Sequence, residues 1–337
     1  MSKVTTVQVT NADVGMRLDR WFKQQYPDIN HARLQKLLRT GQVRVDGGRV
    51  KSGTRLEEGQ EIRVPPLVSD MSGPAKLKTE KPKPAISKAD AKDIQGRVLH
   101  RDDDVIIINK PPGLAVQGGS RLSRHVDGML DALRYGLEER PRLVHRLDKD
   151  TSGILLLARH SQAARMLTRA FRGKEVRKIY WAVVVGAPSP DHGTIDLPLG
   201  KMSGAGGEKV VAGAPEGKNA ETLYRTADHA GDRAAWVVFE PLTGRTHQLR
   251  VHAQALGTPI LGDGKYGRRS AFLDNEGIAG RLHLHARALR FPHPNGHWME
   301  MIAPLPEHIQ KTFEVLGFKP KQEDDSFPEI PVTGEAI

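Results

Sequence analysis

Hydrophobic positions in the first 65 residues recur with helical and then strand-like spacing. The segments RLDRWFKQQY and NHARLQKLLRTG each carry their apolar residues on one helical face, with Asn30 as a candidate N-cap and Gly41 just past the second C-terminus. QVRVDGGRV alternates around the turn pair Asp46-Gly47, which predicts a hairpin, and EGQEIRVPP predicts a closing strand. Residues 1–65 therefore read as one compact unit.

The composition changes sharply after this unit. From about Pro66 to Asp93 the chain consists mainly of Pro, Lys, Ser and Ala and has little that would pack in a core. We therefore predict a flexible linker over residues 66–93 and a second domain over residues 94–316. Residues 317–337 are rich in Pro and acids, which predicts a disordered tail.

The second domain mixes strand and helix patterns. VIIINK, ILLLAR, IYWAVVVG and AAWVVFEPL predict buried strands, whereas SQAARMLTRAF and THQLRVHAQALG predict helices, the latter ending at Gly257. Because strands and helices do not alternate regularly, we expect an α+β fold with a mixed, mainly antiparallel sheet. Within it, the segment GKMSGAGGEKVVAGAPEGKNAE is predicted to be a mobile glycine-rich loop.

Charge narrows the class of partner. The chain of 337 residues has 51 Lys plus Arg against 40 Asp plus Glu, a formal charge of +11, which favours a polyanionic partner. There is no cysteine, so disulfides, thiolate nucleophiles and cysteine zinc sites are excluded. No apolar run approaches the roughly 20 residues of a membrane helix, so we expect a cytoplasmic protein without membrane contact.

The positive charge is concentrated in the first unit. Residues 15–55 contain ten basic residues and three acids, which favours contact with RNA or DNA over a face that is basic only for solubility. The candidate RNA-binding residues are Arg17, Arg33, Lys36, Arg39, Arg44 and Lys51.

The sequence lacks the motifs of several common enzyme activities. GAPEGKN does not have the spacing of a phosphate-binding loop, and the glycines near residue 205 form no dinucleotide fingerprint. His283 and His285 alternate along a predicted strand, and His247 and His252 lie five apart on a predicted helix. A zinc site built from them is less favoured than structural or RNA-facing histidines, so we predict no metal.

Polar clusters at the ends of predicted strands are the candidate site. They are NKP before the first Pro-Gly turn, HRLDKDTSG before ILLLA, Tyr180 in RKIYWAVVVG, and the segment GRTHQ. A sheet holds such groups rigidly at a cleft. Asp148 in HRLDKDTSG would stay ionised beside a guanidinium and act as a nucleophile or base. The structural alternative is an aspartate that caps a turn and pairs with Arg146.

These motifs resemble a known enzyme family. HRLDKDTSGILLLAR, with NKPPGLAV upstream and GRTHQLRVHAQALGTPILGDGKYG downstream, is similar to the RluA/RluC/RluD family of pseudouridine synthases over roughly residues 94–306. The first unit resembles the small RNA-binding module first known from a small-subunit ribosomal protein. The resemblance implies the pseudouridine synthase fold and the conversion of uridine to pseudouridine without a cofactor.

The resemblance also implies roles for individual residues. Asp148 is the catalytic aspartate, Tyr180 packs against the base, and Arg245 pairs with the catalytic carboxylate. Whether the aspartate adds to the sugar or removes a sugar proton stays open. For Tyr180 a core position, and for Arg245 a purely structural ion pair, are the alternatives.

Further residues are predicted around the substrate. Arg146 resembles the residue that fills the space left by the flipped-out uridine, with simple phosphate contact as the alternative. Asp150 is assigned to the loop scaffold, and His145 to both the scaffold and the substrate site. The predicted substrate-binding residues are Arg146, His145, Lys110, His247 and Gln248.

The identity of the RNA is the least determined part of the prediction. Large-subunit ribosomal RNA is the expected partner of a monomeric enzyme, because family members with such a basic module most often act on it. Transfer RNA is the alternative substrate. A ribosome-assembly factor that binds RNA without catalysis is the alternative function.

Overall fold

The computed structural model describes residues 4–10, 13–66, 86–118, 124–204, 207–214, 216–274 and 277–321. The chain divides into two compact units, Met1–Lys83 and Pro84–Ile337.

The first unit is a small sheet with two helices. Its elements are β1 (Thr5–Gln8), α1 (Leu18–Gln25), α2 (His31–Arg39), β2 (Arg44–Val45) and β3 (Glu61–Val64), and the strand order is β1-β3-β2. The two predicted helices and the closing strand are present. The Asn30 side chain accepts the Arg33 main-chain N–H at 2.9 Å, as predicted for an N-cap. The helices bury Leu18, Trp21, Phe22, Leu34 and Leu38 in the core of this unit.

The predicted hairpin is only partly correct. Asp46 and Gly47 form a tight turn with φ of 47° and 74°. However, β2 pairs with β3, and the segment after the turn returns only one isolated bridge, Val45 to Gly48. Strand β2 pairs with β3 instead of the segment after the turn, because β3 places the buried Ile62 opposite Val45.

The second unit begins with a helix that lies inside the predicted linker. Its elements in chain order are α3 (Lys88–Gln95), β4 (Val98–Arg101), β5 (Val105–Lys110), α4 (Val126–Met129), a 3-10 turn (Leu130–Leu133), β6 (Arg142–Leu143), β7 (Ser152–Ala158), α5 (Ser161–Arg172), β8 (Arg177–Val185), β9 (His192–Asp196), β10 (Leu199–Gly204), β11 (Gly207–Ala212), β12 (Glu221–Ala230), β13 (Ala234–Pro241), α6 (Gln248–Ala255), a 3-10 turn (Arg268–Ala271), β14 (Leu284–Pro292), β15 (Trp298–Ile302) and α7 (Glu307–Leu316).

The ten-stranded sheet confirms the predicted α+β fold. Its order is β4-β5-β7-β14-β8-β13-β12-β9, with β15 paired to β14 and β6 to β7. All pairs in this sheet are antiparallel except β7 with β14. None of the helices in the described ranges is both long and apolar enough to cross a membrane.

One register row crosses the centre of the sheet and brings the predicted site segments together. Lys110 in β5 opposes Gly153 in β7, Gly153 opposes Ala286 in β14, and Ala286 opposes Tyr180 in β8. Gly153 has φ of 107°, and a Cβ there would lie 2.2 Å from the Ala286 carbonyl oxygen. Only glycine allows this close approach of β7 and β14.

Four predictions made from the sequence need correction, and two of them concern the segments on either side of the second domain. The predicted linker 66–93 overlaps α3, whose Ile94 is fully buried and whose Asp90 and Asp93 pair with Arg124. The predicted tail overlaps Phe318, which is 5% exposed. Residues 67–85 and 322–337, the rest of both predictions, lie outside the described residues.

The two remaining corrections concern the glycine-rich segment and α5. The predicted loop contains the antiparallel pair β10 and β11, with Leu199 opposite Ala212. The apolar residues of SQAARMLTRAF, including Met166, suggested one buried face of helix α5. The helix is correct, but Met166 is 44% exposed, and the buried residues are Ala163, Leu167 and Ala170.

Candidate active site

Asp148 lies in the loop between β6 and β7, where the chain enters the central sheet. Its side chain is 28% exposed, so the carboxylate faces an opening but is not on the free surface. Leu147 before it is buried in the core, and Thr151 and Ser152 after it are also buried. The loop is thus anchored on both sides of a reachable carboxylate, which suits a reactive group.

Lys110 anchors this loop and does not line the opening. It is fully buried, and its Nζ donates to the carbonyl oxygens of Pro111, Leu114 and Lys149 at 2.9, 2.9 and 3.0 Å. Burial lowers the pKa of Lys110 to about 7, while Asp150 and Asp148 act in the opposite direction. Three acceptors need the three N–H donors of the ammonium form. The predicted substrate-binding role of Lys110 is corrected to loop support.

His145 belongs to the same scaffold. Its ring stacks on Phe171 of α5 with centroids 4.6 Å apart, and its Nε2 accepts the Leu156 N–H at 2.9 Å. Burial lowers the pKa of His145 to about 3, so the ring is neutral. Of the two predicted roles for His145, scaffold and substrate contact, its hydrogen bond and stacking favour the first.

The guanidinium nearest to Asp148 belongs to Arg250, which the sequence reasoning missed. Arg250 Nη1 lies 4.0 Å from Asp148 Oδ2, and its Nε and Nη2 bind Asp263 bidentately at 2.8 and 2.7 Å. Arg245, the predicted partner, is exposed and donates from Nε to the Asn219 carbonyl at 2.8 Å. The assignment moves from Arg245 to Arg250.

The start of α6 explains this correction. His247 is the N-cap and Arg250 lies three residues later, so both project from one side of the first helical turn. His247 Nε2 is 3.8 Å from Asp148 Oδ2. Arg245 precedes the helix and is not held on that side. The motif offered two arginines, and the helical spacing from His247 was the signal that could have distinguished them.

Gln248 is a structural clamp. It is 4% exposed; its Oε1 accepts from Thr243 Oγ1 and the Arg245 N–H, and its Nε2 donates to the Glu221 carbonyl and Thr222 Oγ1. All of its hydrogen-bonding capacity is therefore used inside the protein. The predicted contact of Gln248 with substrate is corrected to the positioning of α6.

Tyr180 lies on β8, near enough to Asp148 for the charge of that carboxylate to act on its phenol. It is half-buried and packs against the core cluster that includes Leu147 and Ala286. Burial and the negative charge of Asp148 raise the pKa of Tyr180 well above its usual value, so its hydroxyl stays protonated. The structure thus brings Asp148, Tyr180 and His247 together, as the sequence predicted.

Arg146 differs from its neighbours because it is exposed. Within the described ranges its side chain makes no hydrogen bond or ion pair, and Asp150 is exposed as well. The Arg146 guanidinium is therefore available to an external anion, two residues before Asp148. The alternative pairing of Asp148 with Arg146 does not occur. The nitrogen-bearing side chains within 4.0 Å of the Asp148 carboxylate, among the described residues, are those of His247 and Arg250.

A cluster at the β4–β5 turn comes nearest to a metal site. The ligand atoms of Asp102, Asp104 and His293 lie within 4.8 Å of one another. However, His293 Nδ1 accepts the Asn295 N–H, so its proton is on Nε2 and is donated to Asp102 at 3.1 Å. The imidazole therefore offers no lone pair to an ion. This cluster is at the end of β5 opposite to Lys110, away from Asp148.

The histidines that the sequence analysis weighed as a less favoured zinc site also have partners within the protein. His283 Nε2 contacts Thr312 Oγ1 at 2.8 Å, His285 Nδ1 contacts Ser152 Oγ at 2.9 Å, and His252 Nδ1 contacts Thr222 Oγ1 at 2.9 Å. Their ring nitrogens hold strands and α6 in register.

The basic residues of the first unit fall into two groups. Arg17 pairs with Asp19 at 2.6 Å, and Arg44 donates to the carbonyls of Gly41 and Gly47, so both guanidinia have internal partners. The candidates Lys36, Arg39 and Lys51, on α2 and in the following loop, are exposed, and Arg33 is exposed on α2 as well. Lys36, Arg39 and Lys51 are the stronger candidates for RNA contact.

The fold and the site define an RNA-modifying isomerase, and comparison with known proteins identifies its family. The family model described as RNA pseudouridylate synthase matches residues 104–255, which include Asp148, Tyr180 and Arg250. Curated relatives match almost the whole chain. The chain belongs to the RNA pseudouridine synthase family.

The relatives share one name. Ribosomal large subunit pseudouridine synthase C of Escherichia coli strain K12 is 38% identical over 318 residues, covering 93% of this chain and 97% of its own. The protein of the same name from Vibrio parahaemolyticus is 36% identical over 321 residues, covering 92% and 97%. Among solved structures, human RNA pseudouridylate synthase domain containing 4 is 30% identical with a TM-score of 0.57, covering 67% of this chain and 95% of that one.

Proposed function

We propose that this protein converts specific uridines of large-subunit ribosomal RNA to pseudouridine, with Asp148 as the reactive group. The observation that carries the proposal is the Asp148 carboxylate itself. It is partly exposed at the entry to β7, with the Arg250 guanidinium 4.0 Å and the His247 ring 3.8 Å from Oδ2. The names of the relatives support the choice of RNA.

The reaction exchanges one bond to the ribose for another. The N1–C1' bond of uridine breaks, the uracil turns within the site, and C5 bonds to C1'. The C5 proton is lost and N1 takes up a proton, so the product is an isomer of the substrate. Asp148 acts either by adding to C1' or by removing a ribose proton to form a glycal. Both routes need the ionised carboxylate, which the charge of Arg250 favours electrostatically.

Arg250 is suited to hold this charge because it is itself fixed. The Asp263 side chain is 1% exposed and binds two of the guanidinium nitrogens, which leaves Nη1 towards Asp148. A preorganised cation costs little reorganisation during the reaction.

Tyr180 provides an aromatic surface next to the carboxylate. Its raised pKa keeps it a neutral phenol, which favours packing against the uracil over removal of the C5 proton. Arg146, exposed beside the site, would contact RNA and occupy the space left by the flipped uridine.

The first unit would bind RNA through its exposed basic residues. Arg33, Lys36, Arg39 and Lys51 supply positive charge without base-reading geometry, so they would position the RNA and not select its sequence. We place the enzyme in the cytoplasm, where ribosomal RNA is assembled, and expect it to act as a monomer without a cofactor.

The test is a map of pseudouridines in all stable RNAs from a strain lacking the gene. Sites in large-subunit ribosomal RNA should be lost and should return when the gene is restored. Loss confined to transfer RNA would overturn the choice of substrate. Unchanged maps, together with no conversion by the purified protein, would support an assembly factor instead.

A further inference from the structure

A chain of polar contacts leads from Tyr266 to the Asp148 carboxylate. The Tyr266 hydroxyl lies 2.6 Å from His247 Nδ1, and His247 Nε2 lies 3.8 Å from Asp148 Oδ2. Tyr266 and His247, 19 residues apart in sequence, thus converge behind one carboxylate oxygen.

The direction of each hydrogen bond follows from the partners. Burial raises the pKa of Tyr266 to about 12, so the hydroxyl keeps its proton. Its O–H donates to His247 Nδ1, which lies 2.6 Å away. Burial also lowers the pKa of His247, which favours the neutral ring. A neutral ring whose Nδ1 accepts must carry its proton on Nε2, the nitrogen that faces Asp148.

The backbone at His247 is strained in a way that serves this orientation. His247 has φ of 55° and ψ of 23°, the left-handed region, and its side chain makes no capping hydrogen bond although it is the N-cap of α6. Such a conformation is unfavourable for a residue with a Cβ and persists where surrounding contacts enforce it. The imidazole is therefore directed at Tyr266 and Asp148 instead of capping the helix.

His247 and Arg250 approach the same carboxylate oxygen. Both distances to Asp148, 3.8 and 4.0 Å, are measured to Oδ2. They are longer than hydrogen bonds, and contacts of this kind tighten when substrate fills an active site. Asp148 Oδ2 is thus the oxygen that faces both side chains.

We propose that Tyr266 and His247 are a positioning pair for Asp148, in which the His247 Nε2–H holds Oδ2 and thereby presents Oδ1 to the ribose. The inference rests on the proposed role of Asp148. It adds two positioning residues to that role, and neither has to contact the uridine.

A matched pair of tyrosine variants tests the link. Tyr266→Phe removes one hydroxyl and keeps the ring that lies 5.1 Å from the Arg250 guanidinium. Tyr224→Phe is the control, since its hydroxyl donates to the Pro190 carbonyl at 3.1 Å between β9 and β12. We expect Tyr266→Phe to lower the single-turnover rate by about threefold to tenfold at unchanged RNA affinity. The control should match the wild type.

Two substitutions of His247 distinguish the loss of its hydrogen-bond donor from damage to the local fold. His247→Asn tolerates the left-handed backbone and reaches only towards Tyr266, so it removes the donor to Asp148. His247→Gln places an amide N–H near the former Nε2. The expected loss of rate is about 10- to 100-fold for His247→Asn, because the donor it removes serves a charged group, with partial recovery in His247→Gln.

The split between rate and affinity distinguishes positioning from general structural support. Without the His247 donor the Asp148 carboxylate is held less well for the ribose, so His247→Asn should lower the maximal single-turnover rate. The enzyme concentration that gives half of that rate should stay unchanged, because neither residue of the pair has to contact the RNA.

The outcomes separate this inference from the proposed function. If wild-type protein forms no pseudouridine in ribosomal RNA, the proposed function fails. If wild type is active while His247→Asn and Tyr266→Phe keep its rate, only the positioning pair fails. A slow His247→Asn with weakened RNA affinity and no recovery in His247→Gln would also overturn it.

Discussion

The Arg250 guanidinium has two carboxylates within reach, and they differ in burial. The Asp263 side chain is 1% exposed and receives two hydrogen bonds, whereas the Asp148 side chain is 28% exposed and lies 4.0 Å away. The buried pair fixes the cation, and the partly exposed carboxylate benefits from its charge. This division explains why the bidentate geometry of arginine matters at this position.

Arg250→Lys should therefore be much more harmful than Arg245→Lys. Lysine keeps the charge but cannot offer parallel donors to Asp263, so we expect at least a tenfold loss, about 1.4 kcal/mol, in the single-turnover rate. Arg245→Lys is the matched control because Arg245 is exposed and makes one side-chain hydrogen bond, to the Asn219 carbonyl. Near-normal rates for Arg250→Lys with a slow Arg245→Lys would make Arg245 the partner of Asp148 after all.

At the scale of single residues, the sequence predicted some positions of the candidate site better than others. The motif placed Asp148, Tyr180 and His247 at one site. It did not separate Arg245 from Arg250, because the left-handed residue that sets where α6 begins is not visible in the hydrophobic pattern. Lys110 and Gln248 were misjudged for a different reason. Their partners include main-chain carbonyls of segments far away in sequence, which no local pattern reveals.

The start of β7 is the element on which the site depends. His145 accepts the Leu156 N–H, and His285 of β14 contacts Ser152 Oγ at 2.9 Å. His285 Nε2 faces the Ala303 carbonyl, so Nε2 carries the proton and Nδ1 accepts from Ser152. Both roles need a neutral ring, and burial lowers the pKa of His145 and of His285 to about 3.

Mild acid should therefore destabilise the second unit. Free histidine takes up a proton near pH 6.5, whereas these two do so only near pH 3, so between these values the unfolded chain binds more protons. The free energy of unfolding must then fall as the pH falls, by roughly 2 kcal/mol per histidine from pH 6.5 to pH 5. Urea unfolding followed by near-ultraviolet circular dichroism measures it.

His285→Gln provides the control for this pH effect. Glutamine does not titrate, so the variant should lose less stability than wild type between pH 7 and pH 5, whatever its stability at pH 7. An equal loss in both proteins would show that His285 is not responsible.

The elements with a strong apolar pattern were predicted from the sequence, and those with a weak apolar pattern were not. VIIINK, ILLLA and AAWVVFEP form β5, β7 and β13, since long apolar runs leave few alternatives. Helix α3 was missed because one buried residue, Ile94, gives no stripe over its eight residues. The pair β10 and β11 was missed because glycines hide the alternation, although Leu199 and Val210 are buried.

At the scale of the whole molecule, the exposed basic residues and the candidate active site lie in different units. The exposed basic residues of α2 lie in the first unit, whereas Asp148 and its partners lie in the second. The net charge of +11 predicted an anionic partner from composition alone. Composition could not show which cations have internal partners, and this sets Arg17 apart from Lys36 and Arg39.

Replacing Lys36 and Arg39 together by Gln should weaken RNA binding and its salt dependence. Removing one contact between a basic side chain and a phosphate reduces the slope of log affinity against log salt by about 0.7–0.9. Arg17→Gln is the control, because its guanidinium pairs with Asp19 at 2.6 Å, and it should change the slope less. An unchanged slope in the double variant would remove α2 from the RNA-binding surface.

The most direct test of the central claim compares the two acids of HRLDKDTSG. Asp148→Asn keeps the shape but removes the charge that either route requires, whereas Asp150 is exposed and forms no ion pair among the described residues. The measurement is pseudouridine yield with excess enzyme in a single turnover, with an RNA-binding isotherm for each variant. Asp148→Asn should bind RNA and form no pseudouridine, and Asp150→Asn should retain substantial activity. Normal turnover by Asp148→Asn, or a folded but inactive Asp150→Asn beside it, would contradict the assignment.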